Sequence, residues 1–79
     1  MRATIAGLQW DITSPSCYRL VPPINDERNP TVDVAFLGDR WYLFLDYAGL
    51  VRTQAFARGF GRDEAMATVV QAFRNVGAI

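Results

Sequence analysis

The sequence has no histidine and no lysine, and its one cysteine, Cys17, has no second thiol to pair with. Without histidine there is no Ser–His or Cys–His couple and no imidazole metal ligand. Without lysine there is no amine nucleophile. A single cysteine cannot close an intramolecular disulfide, so nothing points to an oxidising compartment, and Cys17 is expected to act as a small, half-buried apolar residue. No apolar run comes near the roughly 18 residues of a membrane span. The opening segment is polar by Asp11 and offers no extended apolar core of a signal peptide, so a cytoplasmic protein is expected. The carboxylates Asp11, Asp26, Glu27, Asp33, Asp39, Asp46, Asp63 and Glu64 are scattered, with no calcium-loop spacing. So small a chain leaves little concave volume around any carboxylate pair that could meet in space. The expectation is a protein that is not an enzyme and needs no cofactor and no metal.

What is present suits a small globular protein. The 79 residues are 51% hydrophobic and 20% charged, with a formal net charge of zero. That length fits one domain, residues 1–79, near the lower limit for a fold held by its core alone. Eight arginines carry all the positive charge. Either codon usage accounts for this, or arginine is retained because its planar, weakly hydrated fork suits interfaces. Net neutrality leaves no strong field for nucleic acid or an anionic membrane.

The clearest local signal is a hairpin. Thr31–Leu37 and Arg40–Asp46 flank Gly38-Asp39, a two-residue turn whose glycine accepts a positive φ. Closing the chain there sets Leu37 opposite Arg40, Phe36 opposite Trp41, Val34 opposite Leu43 and Val32 opposite Leu45. The last three pairs lie on one face and are wholly apolar, so a one-residue slip would scatter them. Further along, Met66, Val69, Val70, Phe73 and Val76 fall at helical spacing. Asp63 and Glu64 at the start, Arg74 near the end and Gly77 as a stop suit a helix of about fifteen residues. Before it, Val51, Thr53, Ala55 and Ala57 alternate with Arg52, Gln54, Phe56 and Arg58; the small set is expected to face the core beneath the helix. In the first third, Ala6, Leu8, Trp10 and Ile12 share one face of a strand over Thr4–Ile12, and Cys17–Val21 makes a short strand ended by Pro22-Pro23. Ile24–Pro30 reads as a polar, mobile connection. The expected fold is α+β: an antiparallel sheet of four to five strands with one C-terminal helix packed on one face.

In that arrangement the face away from the helix carries Tyr42, Phe44 and Phe56 among Arg40, Arg52, Gln54 and Arg58. Three aromatics at about 150–250 Å² each are near the upper limit of what a monomer exposes. Either the N-terminal segment, led by Trp10 or Tyr18, covers this face, or these seven residues bind a partner. Two other features have a functional and a structural account. Arg58-Gly59-Phe60-Gly61-Arg62 offers free amides to a phosphate, or Gly61 simply caps the helix with Glu64 three residues on. Asp26-Glu27 mimics phosphates toward a basic partner, or is a solvated loop.

The segment Gly59-Phe60-Gly61-Arg62-Asp63-Glu64-Ala65 and the helix after it resemble the strand-to-helix step of the HicB-type antitoxins, whose turn reads Gly-x-Thr-x-x-Glu-Ala; Gly59, Glu64 and Ala65 match, and Gly61 stands in place of the threonine. A similar step precedes the last helix of double-stranded RNA-binding domains, with lysines where this chain has Asp63 and Glu64. In general character, a short sheet-plus-helix protein without catalytic groups and with an adhesive face also resembles the small phage-encoded anti-CRISPR inhibitors. The first two resemblances imply a nucleic-acid-binding or antitoxin module. The third implies a non-enzymatic inhibitor in the host cytoplasm that blocks a larger protein partner, such as a host nucleoprotein complex. The leading expectation is this inhibitor, acting through the arginine/aromatic face; a homodimer through the same face is a further outcome, and membrane binding is not expected.

Overall fold

In a computed structural model that describes all of residues 1–79, six strands and one helix follow one another along the chain. The strands are β1 (Arg2–Ile5), β2 (Leu8–Ser14), β3 (Cys17–Leu20), β4 (Thr31–Leu37), β5 (Arg40–Tyr47) and β6 (Leu50–Ala55), and the helix is α1 (Arg62–Asn75). They form one antiparallel sheet in chain order, β1-β2-β3-β4-β5-β6. The fold is therefore α+β as expected, but with six strands rather than four to five. No helix is long and apolar enough to cross a membrane.

The additional strand comes from a turn concealed by an unbroken apolar alternation. Ala6 and Gly7 both adopt positive φ, 54° and 80°, which closes a two-residue hairpin and pairs Ile5 with Leu8. The stretch read as one strand over Thr4–Ile12 is thus the end of β1, a turn and most of β2. The turn keeps Ala3 and Ile5 on the face that also receives Leu8 and Trp10, and Ala6 leaves that face for the turn.

Between β4 and β5 the observed register is the one the Gly38-Asp39 turn dictates, including Phe36–Trp41, Val34–Leu43 and Val32–Leu45. Those apolar pairs face α1. The helix lays Ala65, Met66, Val69, Val70 and Phe73 against Ile5, Trp10, Tyr18, Leu20, Val32, Val34, Trp41 and Phe56, and this single cluster is the core. Trp10 is wholly buried, and its indole N–H donates to the Ile5 carbonyl at 3.0 Å, so the largest core side chain leaves no polar atom unpaired.

The helix ends are specified locally. At the N-cap, the Gly61 N–H donates to Glu64 Oε1 at 3.1 Å, which is the capping role of Gly61. At the other end, Ala78 N–H donates to the Phe73 carbonyl (2.8 Å) and Gly77 N–H to the Arg74 carbonyl (3.1 Å), with Gly77 at φ 74°. This pair of bonds is a Schellman motif, and Ala78 is buried against the core just beyond it. Replacing Gly77 with alanine forces a Cβ into the left-handed region. The expected result is a loss of about 1 kcal/mol in urea unfolding, with an unchanged denaturant slope.

The connection from β3 to β4 is anchored at two points, although most of Ile24–Pro30 is exposed as its composition suggests. Ile24 and Pro30 are buried, and the Asn25 N–H donates to the Ala78 carbonyl at 2.6 Å, so the loop docks on the segment that ends the helix. Arg28 folds back to Asp26 through Nε and Nη2 (3.2 and 3.0 Å) and lies over the Tyr47 ring at 4.2 Å. The hydrogen bonds from Arg28 hold the Asp26 carboxyl below its ordinary value of 3.8. A depressed carboxyl contributes stability above its unfolded value, and that contribution is lost as pH falls through the folded value. Carbon-detected NMR titration should therefore find Asp26 still ionised at a pH where an unpaired aspartate is half protonated.

Candidate functional site

The face of the sheet away from α1 has no covering layer. The N-terminal strands lie within the sheet beside the others, and Trp10 and Tyr18 point into the core under the helix. Of the two outcomes open from the sequence, this is the one in which the aromatic face is left free of the N-terminal segment.

Register determines what that face contains. Over β1 to β4 it is a row of alternating charge: Arg2 opposite Asp11, Asp11 opposite Arg19, Arg19 opposite Asp33. Arg2 Nε meets Asp11 Oδ1 at 3.1 Å, and Arg19 grips both oxygens of Asp33 at 2.9 and 3.1 Å. That two-point hydrogen bond raises the Arg19 guanidinium above its ordinary pKa. Over β4 to β6 the same face turns apolar. Ala35 lies opposite Tyr42, Tyr42 opposite Ala55, and Phe44 opposite Thr53. Cys17, on β3, pairs with Ala35 and borders the patch. The Tyr42 and Phe44 rings stack with centroids 6.0 Å apart, both half-buried, and Leu37 is 52% exposed at the hairpin end of the patch.

The seven residues expected to act together do not all share this face. Arg40, Tyr42 and Phe44 do. Arg52 and Gln54 lie on the helix side, opposite Leu45 and Leu43, and Phe56 follows them there and is buried in the core at 7% exposure, stacked on Phe60 at 5.7 Å. The alternation of β6 is thus inverted relative to expectation: Val51, Thr53 and Ala55 occupy the open face. The cause is the Ala48-Gly49 turn, both residues at positive φ (54° and 100°), which fixes Tyr47 opposite Leu50 and every later pair with it. The turn geometry overrides the tendency of small side chains to sit beneath a helix. Arg58 lies beyond β6 and pairs with Asp39, which also receives Arg40 Nε at 3.1 Å. The Arg40 hydrogen bond, with Arg58 in addition, keeps the Asp39 carboxyl below its usual range.

Ala48 is the weak point of that turn, because alanine carries a Cβ into a conformation that Asn or Gly adopts more readily. Asp46 compensates by accepting from the Gly49 N–H at 2.7 Å. Changing Ala48 to Asn is expected to stabilise the protein by about 0.5–1 kcal/mol, seen as a rise of a few degrees in the calorimetric melting temperature.

Arg19, Cys17, Thr53 and Ala55, which patterning did not place here, complete the open face beside Asp33 and Ala35, whose positions opposite Phe44 and Tyr42 follow from the hairpin register. The signal for Thr53 and Ala55 lay in loop length, since the two-residue Ala48-Gly49 turn fixes the β5–β6 register without reference to hydropathy.

The charge state of the surface is distinctive. Six of the eight arginines, Arg2, Arg19, Arg28, Arg40, Arg58 and Arg62, already pair with aspartates. Arg62, the first residue of α1, also donates to the Tyr18 hydroxyl at 3.2 Å, so the Arg58–Arg62 segment spends both its arginines on internal contacts. A concavity of about 260 Å³ between the Pro22–Pro30 loop and β3–β4 contains no carboxylate and no thiol, and no group of three acidic or thiol side chains converges as a metal site would require. Set against protein families, curated proteins and solved structures, the chain has no match to any of them.

Proposed function

We propose that this is a non-enzymatic binding protein that acts by occupying a surface of a larger protein partner through the apolar half of its open sheet face. The observation that carries this reading is the stacked Tyr42–Phe44 pair, half-exposed with Ala35, Leu37, Thr53 and Ala55 around it and nothing packed above it. Rigid aromatics on a flat, preformed strand surface lose little conformational freedom when bound, which is why such side chains dominate interface energies. The flanking arginines, Arg19 and Arg40, sit with Asp33 and Asp39 as paired charges, suited to a polar rim that aligns a partner.

The pairing also supports a protein partner over a nucleic acid. Tracking phosphates requires cationic side chains free to neutralise them, and six of eight here have acidic neighbours. In its most concrete form the proposal is an inhibitor of the anti-CRISPR type, one that blocks a host defence complex from the host cytoplasm. The antitoxin or nucleic-acid-binding module is the reading it competes with.

The test is affinity capture from a candidate host lysate, with and without nuclease, using the wild type and a Tyr42→Ala/Phe44→Ala variant. A stoichiometric protein complex that survives nuclease and is lost in the variant supports the proposal. Loss of every partner on nuclease treatment transfers the assignment to nucleic-acid binding.

A further inference from the structure

The sheet has two free edges, and they are unlike. At one edge, β1 is four residues long and carries an ion pair to β2, features that protect an edge from adding strands. At the other, β6 has six residues, all of them exposed, with no proline, no bulge and no acidic residue. Leu50 and Val51 stand there at 66% and 51% exposure.

The hairpin geometry determines which backbone groups of β6 are free. Residues flanking a two-residue turn exchange hydrogen bonds, so Tyr47 and Leu50 form a bonded pair and alternate pairs follow. The Phe56 N–H donating to the Trp41 carbonyl at 2.9 Å continues that phase. Arg52 and Gln54 therefore direct their N–H and C=O groups inward to β5, and those of Val51, Thr53 and Ala55 point out of the sheet.

From this we infer that β6 pairs antiparallel with β6 of a second copy, with Thr53 on the two-fold axis, joining two sheets into one of twelve strands. An isologous contact needs a self-complementary strand, and side-chain charge selects among the registers. Bonded pairs across the axis must use the outward-facing residues. A two-fold centred on Arg52 sets it against the partner's Arg52, two like charges directly opposite. Centring on Gln54 sets Arg52 against the partner's Phe56. Centring on Thr53 pairs Thr53 with the partner's Thr53 and Val51 with the partner's Ala55 on the open face. On the helix side it sets Arg52 opposite the partner's Gln54 and brings Leu50 level with the partner's Phe56. Arg52 is one of two arginines without an acidic neighbour in the monomer; here it gains a carbonyl acceptor twice over. A single strand pair is near the low end of interface size, about 1,000 Å², so the dimer forms as a function of concentration.

Sedimentation equilibrium over roughly 10 µM to 1 mM tests this. The wild type is expected to move from its 8.9 kDa monomer toward twice that mass. Gln54→Glu, which creates two cross-axis pairs with Arg52, should tighten the dimer by about fivefold, and Gln54→Arg should loosen it by a similar factor. Thr53→Pro removes an N–H that no intramolecular bond uses and should leave a folded monomer. Bonded pairs have Cα atoms about 5.5 Å apart, within disulfide range. On oxidation in a Cys17→Ser background, Thr53→Cys should therefore cross-link the two copies and Val51→Cys should not. A wild type that stays monomeric throughout, equal effects of Gln54→Glu and Gln54→Arg, or faster cross-linking through Val51→Cys would each overturn the inference. Should Thr53→Pro fail to fold, the two Gln54 variants and the cross-link decide it.

Discussion

Trp10→Ala is expected to leave the protein largely unfolded at 25 °C. The indole is wholly buried in the one core cluster, between β1 and β3 and under the helix, and its N–H satisfies the Ile5 carbonyl. Removing a buried aromatic costs about 3–5 kcal/mol through lost burial and the cavity left behind. The Ile5 carbonyl loses its indole donor as well but keeps the Leu8 N–H across the turn, so the cost lies chiefly in the lost burial and the cavity. A domain of this length holds roughly 4–12 kcal/mol in total. Far-ultraviolet circular dichroism and one-dimensional NMR will show the collapse directly. Trp10→Phe, which keeps most of the apolar volume, should remain folded with a lowered melting temperature. If Trp10→Ala retained the dispersed amide spectrum and the melting temperature of the wild type, the core as described would be wrong.

The second large effect is a divergence between two phenylalanines that sequence alternation places together. Phe56→Ala should destabilise by about 3–5 kcal/mol, because the ring is buried against the helix and stacks on Phe60. Phe44→Ala should cost far less stability, since its ring is half-exposed on the open face. On the proposed function Phe44→Ala weakens capture of the protein partner by about 30-fold or more, the effect of losing about 2 kcal/mol at an interface anchor. Urea unfolding and quantitative capture, run on both variants, separate the roles. A Phe44→Ala variant that unfolds as readily as Phe56→Ala would remove Phe44 from the surface; one that folds and binds like the wild type would remove the open face from the proposal.

The contrast between those residues also explains how far the sequence was legible. The β4–β5 hairpin was readable because two independent signals agreed: a glycine turn of fixed length, and three apolar pairs that only one register could align. The helix was readable for the same reason, as its apolar stripe, acidic start and Gly77 stop coincide, although Val76, the last member of that stripe, falls at the C-cap and is exposed. β1 was hidden because Ala6, at a left-handed position usually held by Asn, Asp or Gly, is also apolar and in phase with Leu8, Trp10 and Ile12. Hydropathy assigns β6 the opposite phase because Val51 and Ala55 look like core residues and Arg52 like a surface one. The Ala48-Gly49 turn decides otherwise, and the helix does not reach far enough to bury Arg52 or Gln54. Of the candidate face, Arg40, Tyr42 and Phe44 followed from the legible hairpin. The charge row Arg2–Asp11–Arg19–Asp33 did not, because it exists only once four strands are in register.

The chain-order meander has a consequence for synthesis. Every strand pairs only with strands next to it in sequence, so the sheet can zip up hairpin by hairpin through short loop closures, a topology that favours rapid folding. The helix that covers it is encoded after all six strands. At about 5–20 residues per second, the nascent sheet waits on the order of a second with Trp10, Val34 and Trp41 exposed before Met66 to Phe73 arrive to cover them. Throughout that interval the molecule is a twisted sheet with two wet faces and an open edge at β6, the form most vulnerable to sticking to its own kind. The speed with which α1 docks, rather than the stability of the finished fold, then sets how much of the newly made protein escapes aggregation.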